Sequence, residues 1–161
     1  MTGECLYILA PFVPTPRDVV DRMLALAEVT SEDLVYDLGC GDGRIIIAAA
    51  KQCGARGLGV DIEPYWVEAS RANAKQAGVD HLVTFNLQDA LTVDLSPATV
   101  VMLYLVEWST RKFRPLITRM VKPGTRIVSH SFSMDNWAPV KVEKFVVASG
   151  DARTLYLWIA E

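Results

Sequence analysis

The stretch Leu34-Val35-Tyr36-Asp37-Leu38-Gly39-Cys40-Gly41-Asp42-Gly43-Arg44, continued by Ile45-Ile46-Ile47-Ala48-Ala49-Ala50, constrains the fold more than any other part of the chain. A short apolar run rich in strand-forming residues ends in an acid. Three glycines follow at alternate positions, and alanines and β-branched residues then resume at helical length. The pattern predicts a strand, a tight turn and a helix. Without Cβ atoms where the backbone turns, a ligand can approach the amides that open the helix.

Two nucleotide readings fail. The dinucleotide fingerprint GxGxxG needs a glycine where Arg44 stands, and the phosphate loop GxxxxGK[ST] lacks both its lysine and its hydroxyl. A carboxylate before the first glycine repels a pyrophosphate but suits a ligand carrying an ammonium and a sulfonium. S-adenosylmethionine carries both. A second strand should then end, about 20 residues on, in an acid that accepts the two ribose hydroxyls. Leu58-Gly59-Val60-Asp61 meets that requirement.

Asp37-Leu38-Gly39-Cys40-Gly41-Asp42-Gly43 with Val60-Asp61 resembles the class I S-adenosylmethionine-dependent methyltransferases. Pro11-Phe12-Val13-Pro14-Thr15-Pro16, Lys122-Pro123-Gly124-Thr125-Arg126-Ile127-Val128-Ser129-His130 and Trp137 narrow the likeness to one subgroup. It contains archaeal protein-lysine methyltransferases and the mitochondrial enzymes that methylate the ATP synthase c subunit and the adenine nucleotide translocase. The mitochondrial relatives carry an N-terminal membrane segment with no counterpart here, so a membrane-bound target is not expected.

The resemblance implies an α/β fold: a Rossmann-like, mostly parallel seven-stranded sheet with helices on both faces and a C-terminal antiparallel hairpin. It also assigns roles. Asp37, Gly39 and Gly41 would hold the methionine part of the cofactor, Asp61 the ribose and Asp89 the adenine amine, with Ile62 as the wall beside the adenine ring. Phe12 and Thr15 would close over the sulfonium end. Tyr104 could orient the incoming amine, and Glu107 could accept its proton; both could equally be structural.

At 161 residues the chain is read as one domain, 1–161, with residues 1–16 as an arm or lid. Such a chain buries roughly 70% of its unfolded surface and needs no staples. Three cysteines without a CxxC spacing and two histidines without an HExxH arrangement predict no metal site and a reduced, cytoplasmic protein. The apolar run Cys5 to Val13 is too short to span a bilayer, is interrupted by Pro11, and follows no basic region. A net charge of −3 argues against nucleic acid. Yet Arg111, Lys112, Arg114, Arg119, Lys122 and Arg126 fall in an acid-free segment between Trp108 and Met134, either a solvated helix face or a surface for an acidic partner.

Local signals fill in the rest. Thr15-Pro16-Arg17-Asp18 reads as a helix start, with Thr15 as N-cap and Asp18 reaching back. Further strands are expected at Arg56 to Asp61, Leu82 to Phe85, Ala98 to Leu105 and Thr125 to His130. Pro64 opens a helix that Gly78 closes. Only about a dozen residues separate the third and fourth strands, too few for a full crossover helix. Pro115 is expected to break the segment after Ser109 into a turn and a short helix, Pro115 to Val121. Val140 to Ala148 and Arg153 to Ile159 read as a hairpin around Ser149-Gly150-Asp151. His130 and Trp137 near the rim are read as a hydrogen-bonded strand-end histidine and a packed tryptophan, or as parts of the site.

The substrate expected from the resemblance is a protein with an exposed lysine. Methylation of RNA or a small amine is the alternative, and a non-enzymatic cofactor-binding protein is a third.

Overall fold

The computed structural model describes residues 15–104, 107–134 and 137–161. Phe12 and the other arm residues up to 14 lie outside them. Seven strands form one sheet in the order β3-β2-β1-β4-β5-β7-β6. Their ranges are β1 Leu34–Leu38, β2 Arg56–Asp61, β3 Val83–Leu87, β4 Val100–Leu103, β5 Arg126–His130, β6 Lys141–Val146 and β7 Ala152–Ile159. The first five are parallel. β7 enters antiparallel between β5 and β6.

The helices are α1 Arg17–Leu26, α2 Arg44–Cys53, α3 Pro64–Gln76 and α4 Glu107–Met120. The connection from β3 to β4 holds a single 3-10 turn, Ala90–Thr92, as its length requires. α1, α2 and α3 cover one face, packing Val19, Met23, Ile46 and Val67 with Val35, Val100, Met102 and Val128 of the sheet. On the opposite face Phe113 and Ile117 of α4 pack with Leu38, Val101, Leu103, Ile127 and Trp158.

Two local expectations are corrected. α4 runs unbroken through Pro115. A proline inside a helix costs about 3 kcal/mol, but fully burying Phe113 and Ile117 one turn apart gains about 1.5–3 kcal/mol each. The Thr118 hydroxyl also donates to the Arg114 carbonyl at 3.0 Å, tying the turn around the proline. At the start of α1, Pro16 rather than Thr15 takes the cap position and no side chain caps it. Asp18 instead accepts from the Ala148 amide at 2.9 Å, pinning the β6–β7 hairpin to α1. Thr15 is buried.

At the amino end of the sheet Arg126 pairs with Asp33 and donates to the Ala27 carbonyl. Burial would raise the Asp33 carboxyl; the Thr30 amide, the Thr99 hydroxyl and Arg126 outweigh it and lower the pKa. This member of the basic segment is therefore structural.

The strand order reverses between β1 and β4, because β2 and β3 continue to one side of β1 and β4 returns on the other. The crevice at the carboxyl ends of these strands is where open α/β sheets bind ligands.

Candidate functional site

The turn between β1 and α2 is built on left-handed backbone. Gly39, Gly41 and Gly43 have φ of 88°, 54° and 81°. At Gly43 a side chain is doubly excluded, because a Cβ would lie 2.9 Å from the Phe85 ring. The amides of Gly39 and Cys40 both donate to the Val60 carbonyl, at 3.0 and 2.8 Å, which closes the turn onto β2.

Asp61 completes the cradle from the end of β2. One carboxylate oxygen accepts from the Gly41 amide and the other from the Glu63 amide, each at 3.0 Å. Both oxygens are thus oriented before any ligand arrives and keep a further lone pair each. Ile62, half-buried, follows directly.

Asp37 is 3% exposed, and its carboxyl is pushed well above the usual range, first by burial and then by the negative charges of Asp61 and Asp42. Asp42 is paired with Arg44, whose guanidinium donates to both its oxygens, the shortest contact being 2.6 Å. Asp37 and Asp61 remain as a pair of acids beside an open turn, an arrangement suited to a cation.

Asp89 lies two residues beyond β3 and is exposed. One of its oxygens accepts from the Leu91 amide at 2.9 Å, so it caps the 3-10 turn. The capping does not remove its capacity to accept a second donor at the other oxygen.

Tyr104 follows β4, and Glu107 opens α4 with a side chain outside the described residues. Asp37 pairs with Met102 across β1 and β4. Met102 packs with Val35 on the face that α1 and α2 cover, and the alternation of strand side chains puts Tyr104 on that face one pleat nearer the rim. The structure therefore places Asp37, Gly39, Gly41, Asp61, Ile62, Asp89 and Tyr104 at the carboxyl ends of four adjacent strands. Thr15 joins through its carbonyl, which accepts from Arg44 at 3.0 Å.

Several supports escaped the sequence reading. Ser70 donates to the Gly41 carbonyl at 2.6 Å, and Asn73 donates to the Asp42 carbonyl at 3.0 Å. A serine on the buried side of α3, between Val67 and Ala74, with a polar Asn73 three residues on, was the available signal. His130 is fully buried and, among the described residues, neither ring nitrogen has the hydrogen-bond partner expected; its ring centroid lies 4.0 Å from that of Tyr104. Trp137 is packed, its carbonyl accepting from the Trp158 indole at 2.7 Å on the other face of the sheet.

Among the described residues no cluster of His, Cys, Asp or Glu could hold a metal ion, and no helix is long and apolar enough to cross a membrane. Cys40, buried beside Asp37, has its thiol pushed up by burial and then by Asp37 and Asp61, which disfavours the nucleophilic thiolate.

Comparison with known proteins agrees with this geometry. The model of the ANTKMT methyltransferase domain matches residues 37–141. A protein-lysine N-methyltransferase of Saccharolobus islandicus is 42% identical over 92% of this chain and 92% of that protein. The adenine nucleotide translocase lysine N-methyltransferase of Mus musculus is 31% identical over 85% of this chain, which spans 59% of that protein. Among solved structures, one described as an RNA methyltransferase from Salinibacter ruber in complex with S-adenosyl-L-homocysteine is 50% identical. It superposes with a TM-score of 0.85, covering 91% of this chain and 93% of that one.

Proposed function

The chain belongs to the ANTKMT methyltransferase-domain family, and from that premise we propose that it transfers methyl groups from S-adenosylmethionine to lysine side chains of a protein substrate. One observation carries the cofactor half of this reading: two acids, Asp37 and Asp61, border a turn that carries no side chain at 39, 41 and 43 and whose amides are already engaged by Val60, Cys40 and Asp61. A phosphate-bearing ligand would meet repulsion there, whereas an ammonium and a sulfonium meet attraction. The lysine half is supported by the relative from Saccharolobus islandicus, which this chain matches over nearly the full length of both.

Bound in this crevice, S-adenosylmethionine supplies an electrophilic methyl group on a sulfonium. Asp37 and the Gly39–Gly41 backbone hold the methionine part, and Asp61 accepts the ribose hydroxyls with oxygens already fixed by the Gly41 and Glu63 amides. Ile62 flanks the adenine, and Asp89 accepts from its amine. Thr15, drawn to the turn by Arg44, lies at the end of the arm of residues 1–16, which with Phe12 would close the sulfonium end.

The acceptor lysine must lose its proton, since a free side chain with pKa near ~10.4 is protonated at neutral pH. Desolvation at the rim and a neighbouring positive charge both favour the neutral amine. The chain's remaining task is then to orient the amine for in-line displacement, which involves no covalent enzyme intermediate. Tyr104 lines that approach, and Glu107 is the residue assigned to accept the departing proton.

The protein from Salinibacter ruber gives RNA a specific claim as a second substrate class. Arg126, one of the six basic residues a nucleic acid would use, is held at the opposite end of the sheet. Incubation with methyl-labelled cofactor and a ribonuclease-treated or protease-treated cell extract separates the two. Label that survives ribonuclease and maps to lysine supports the proposal; label lost to ribonuclease overturns it.

A further inference from the structure

His130 is the last residue of β5 and stands beside Tyr104. The β4–β5 register pairs Leu103 with Ser129, and one step further brings Tyr104 opposite His130. Their ring centroids are 4.0 Å apart, with planes inclined at 32°. His130 is 0% exposed, and among the described residues neither buried ring nitrogen has a partner.

A histidine that served only to fill this position would be an expensive choice. Burying two polar nitrogens unpaired destabilises the fold, whereas an aliphatic side chain fills the same space with no such penalty. Unsatisfied buried groups in a folded protein concentrate where function overrides stability.

The neighbouring backbone is constrained in the same sense. Ser131 has φ of 77°, a left-handed conformation unfavourable for a residue other than glycine. It is held there by its amide, which donates to the Thr154 carbonyl at 2.8 Å, and by the Ser129 hydroxyl, which donates to the Phe132 carbonyl at 2.5 Å. The carboxyl end of β5 is thereby fixed in place against β7.

We propose that His130 is a positioning residue for methyl transfer, its ring being the platform that holds the Tyr104 ring at the rim where the acceptor amine arrives. The inference rests on the reading of Tyr104 as lining that approach.

With one face of Tyr104 on the imidazole, its opposite face and its hydroxyl are presented in one orientation. The imidazole is held neutral, its pKa pushed down to about 4 by burial and then by the nearby Arg153 of β7. A neutral platform adds no positive charge beneath a tyrosine ring that must tolerate a sulfonium and an amine. The contribution is made by ring contact, the hydrogen-bonding atoms being unused.

Three variants of the full chain test this, each measured for kcat, cofactor Kd by calorimetry, and Tm: His130→Phe, His130→Leu and Tyr104→Ala. His130→Leu is expected to raise Tm, leave cofactor Kd within about twofold, and lower kcat by roughly tenfold or more, the scale on which misplacement acts. His130→Phe, which restores a ring without nitrogens, is expected to recover kcat to within about threefold of the parent. A His130→Leu variant with parental kcat would overturn the platform. So would equal losses in the Phe and Leu variants, which would assign the role to the nitrogens. If Tyr104→Ala leaves kcat unchanged, the reading of Tyr104 itself fails; if it lowers kcat while His130→Leu does not, only the platform fails.

Discussion

Arg44 joins Thr15 to the ligand turn: its guanidinium donates to the Thr15 carbonyl at 3.0 Å while its other nitrogens donate to both oxygens of Asp42. The residue that rules out the dinucleotide fingerprint is thus the one that anchors the chain entering α1. Arg44→Gln is expected to lose about 1–2 kcal/mol of stability, the scale of hydrogen bonds to charged groups in half-buried positions. It should also weaken cofactor binding, because Thr15 joins the arm to the turn. Chemical denaturation and calorimetry read the two effects separately.

Asp37 gives a pH dependence whose sign follows from its environment. Its folded pKa lies above the unfolded value, so the folded apo protein binds more protons and loses stability as pH rises through that pKa. Asp37→Asn is expected to raise the apo Tm at pH 8, with the gain shrinking toward pH 4. A cationic ligand favours the ionised carboxyl, so cofactor affinity should rise with pH in the parent and lose that dependence in the variant.

Gly59 is required by close approach. A Cβ there would lie 2.7 Å from the Phe85 ring and 2.8 Å from the Cys40 side chain. Gly59→Ala is expected to cost about 1–3 kcal/mol, the range for overpacking a core, and to push Cys40 and the turn away from Asp61. Denaturant midpoints and cofactor Kd should both worsen.

His130 has the opposite linkage to a paired histidine. Its folded pKa of about 4 lies below the unfolded value of 6.5. The unfolded chain therefore binds the proton first as pH falls. Stability is fully present above about pH 6.5 and declines toward pH 4. Tm measured across that window should fall less steeply in His130→Phe than in the parent.

How much of this was legible in the sequence depended on whether the signal was local. β2 was read with its observed bounds because Gly59 and Asp61 punctuate it, and the β6–β7 hairpin because Ser149-Gly150-Asp151 separates two strand-like runs. The acids and glycines of the cradle were visible because a turn and its ligand chemistry are written in consecutive residues. Pro115 misled, since the burial of Phe113 and Ile117 that outweighs it is a tertiary property. Thr15 misled for the same reason: Asp18, expected to close a capping box, is engaged by the Ala148 amide some 130 residues away. The stack of Tyr104 on His130 needs the register of β4 and β5, which pairs residues far apart in the chain.

The most direct test of the account is transfer itself. The protein is incubated with methyl-labelled S-adenosylmethionine and cell-extract protein, and the product is digested and mapped by mass spectrometry, with Asp61→Ala alongside. The account predicts label on lysine side chains, lost together with cofactor binding in the variant. Tight cofactor binding with no label on any lysine, or label confined to RNA or small molecules, would contradict it.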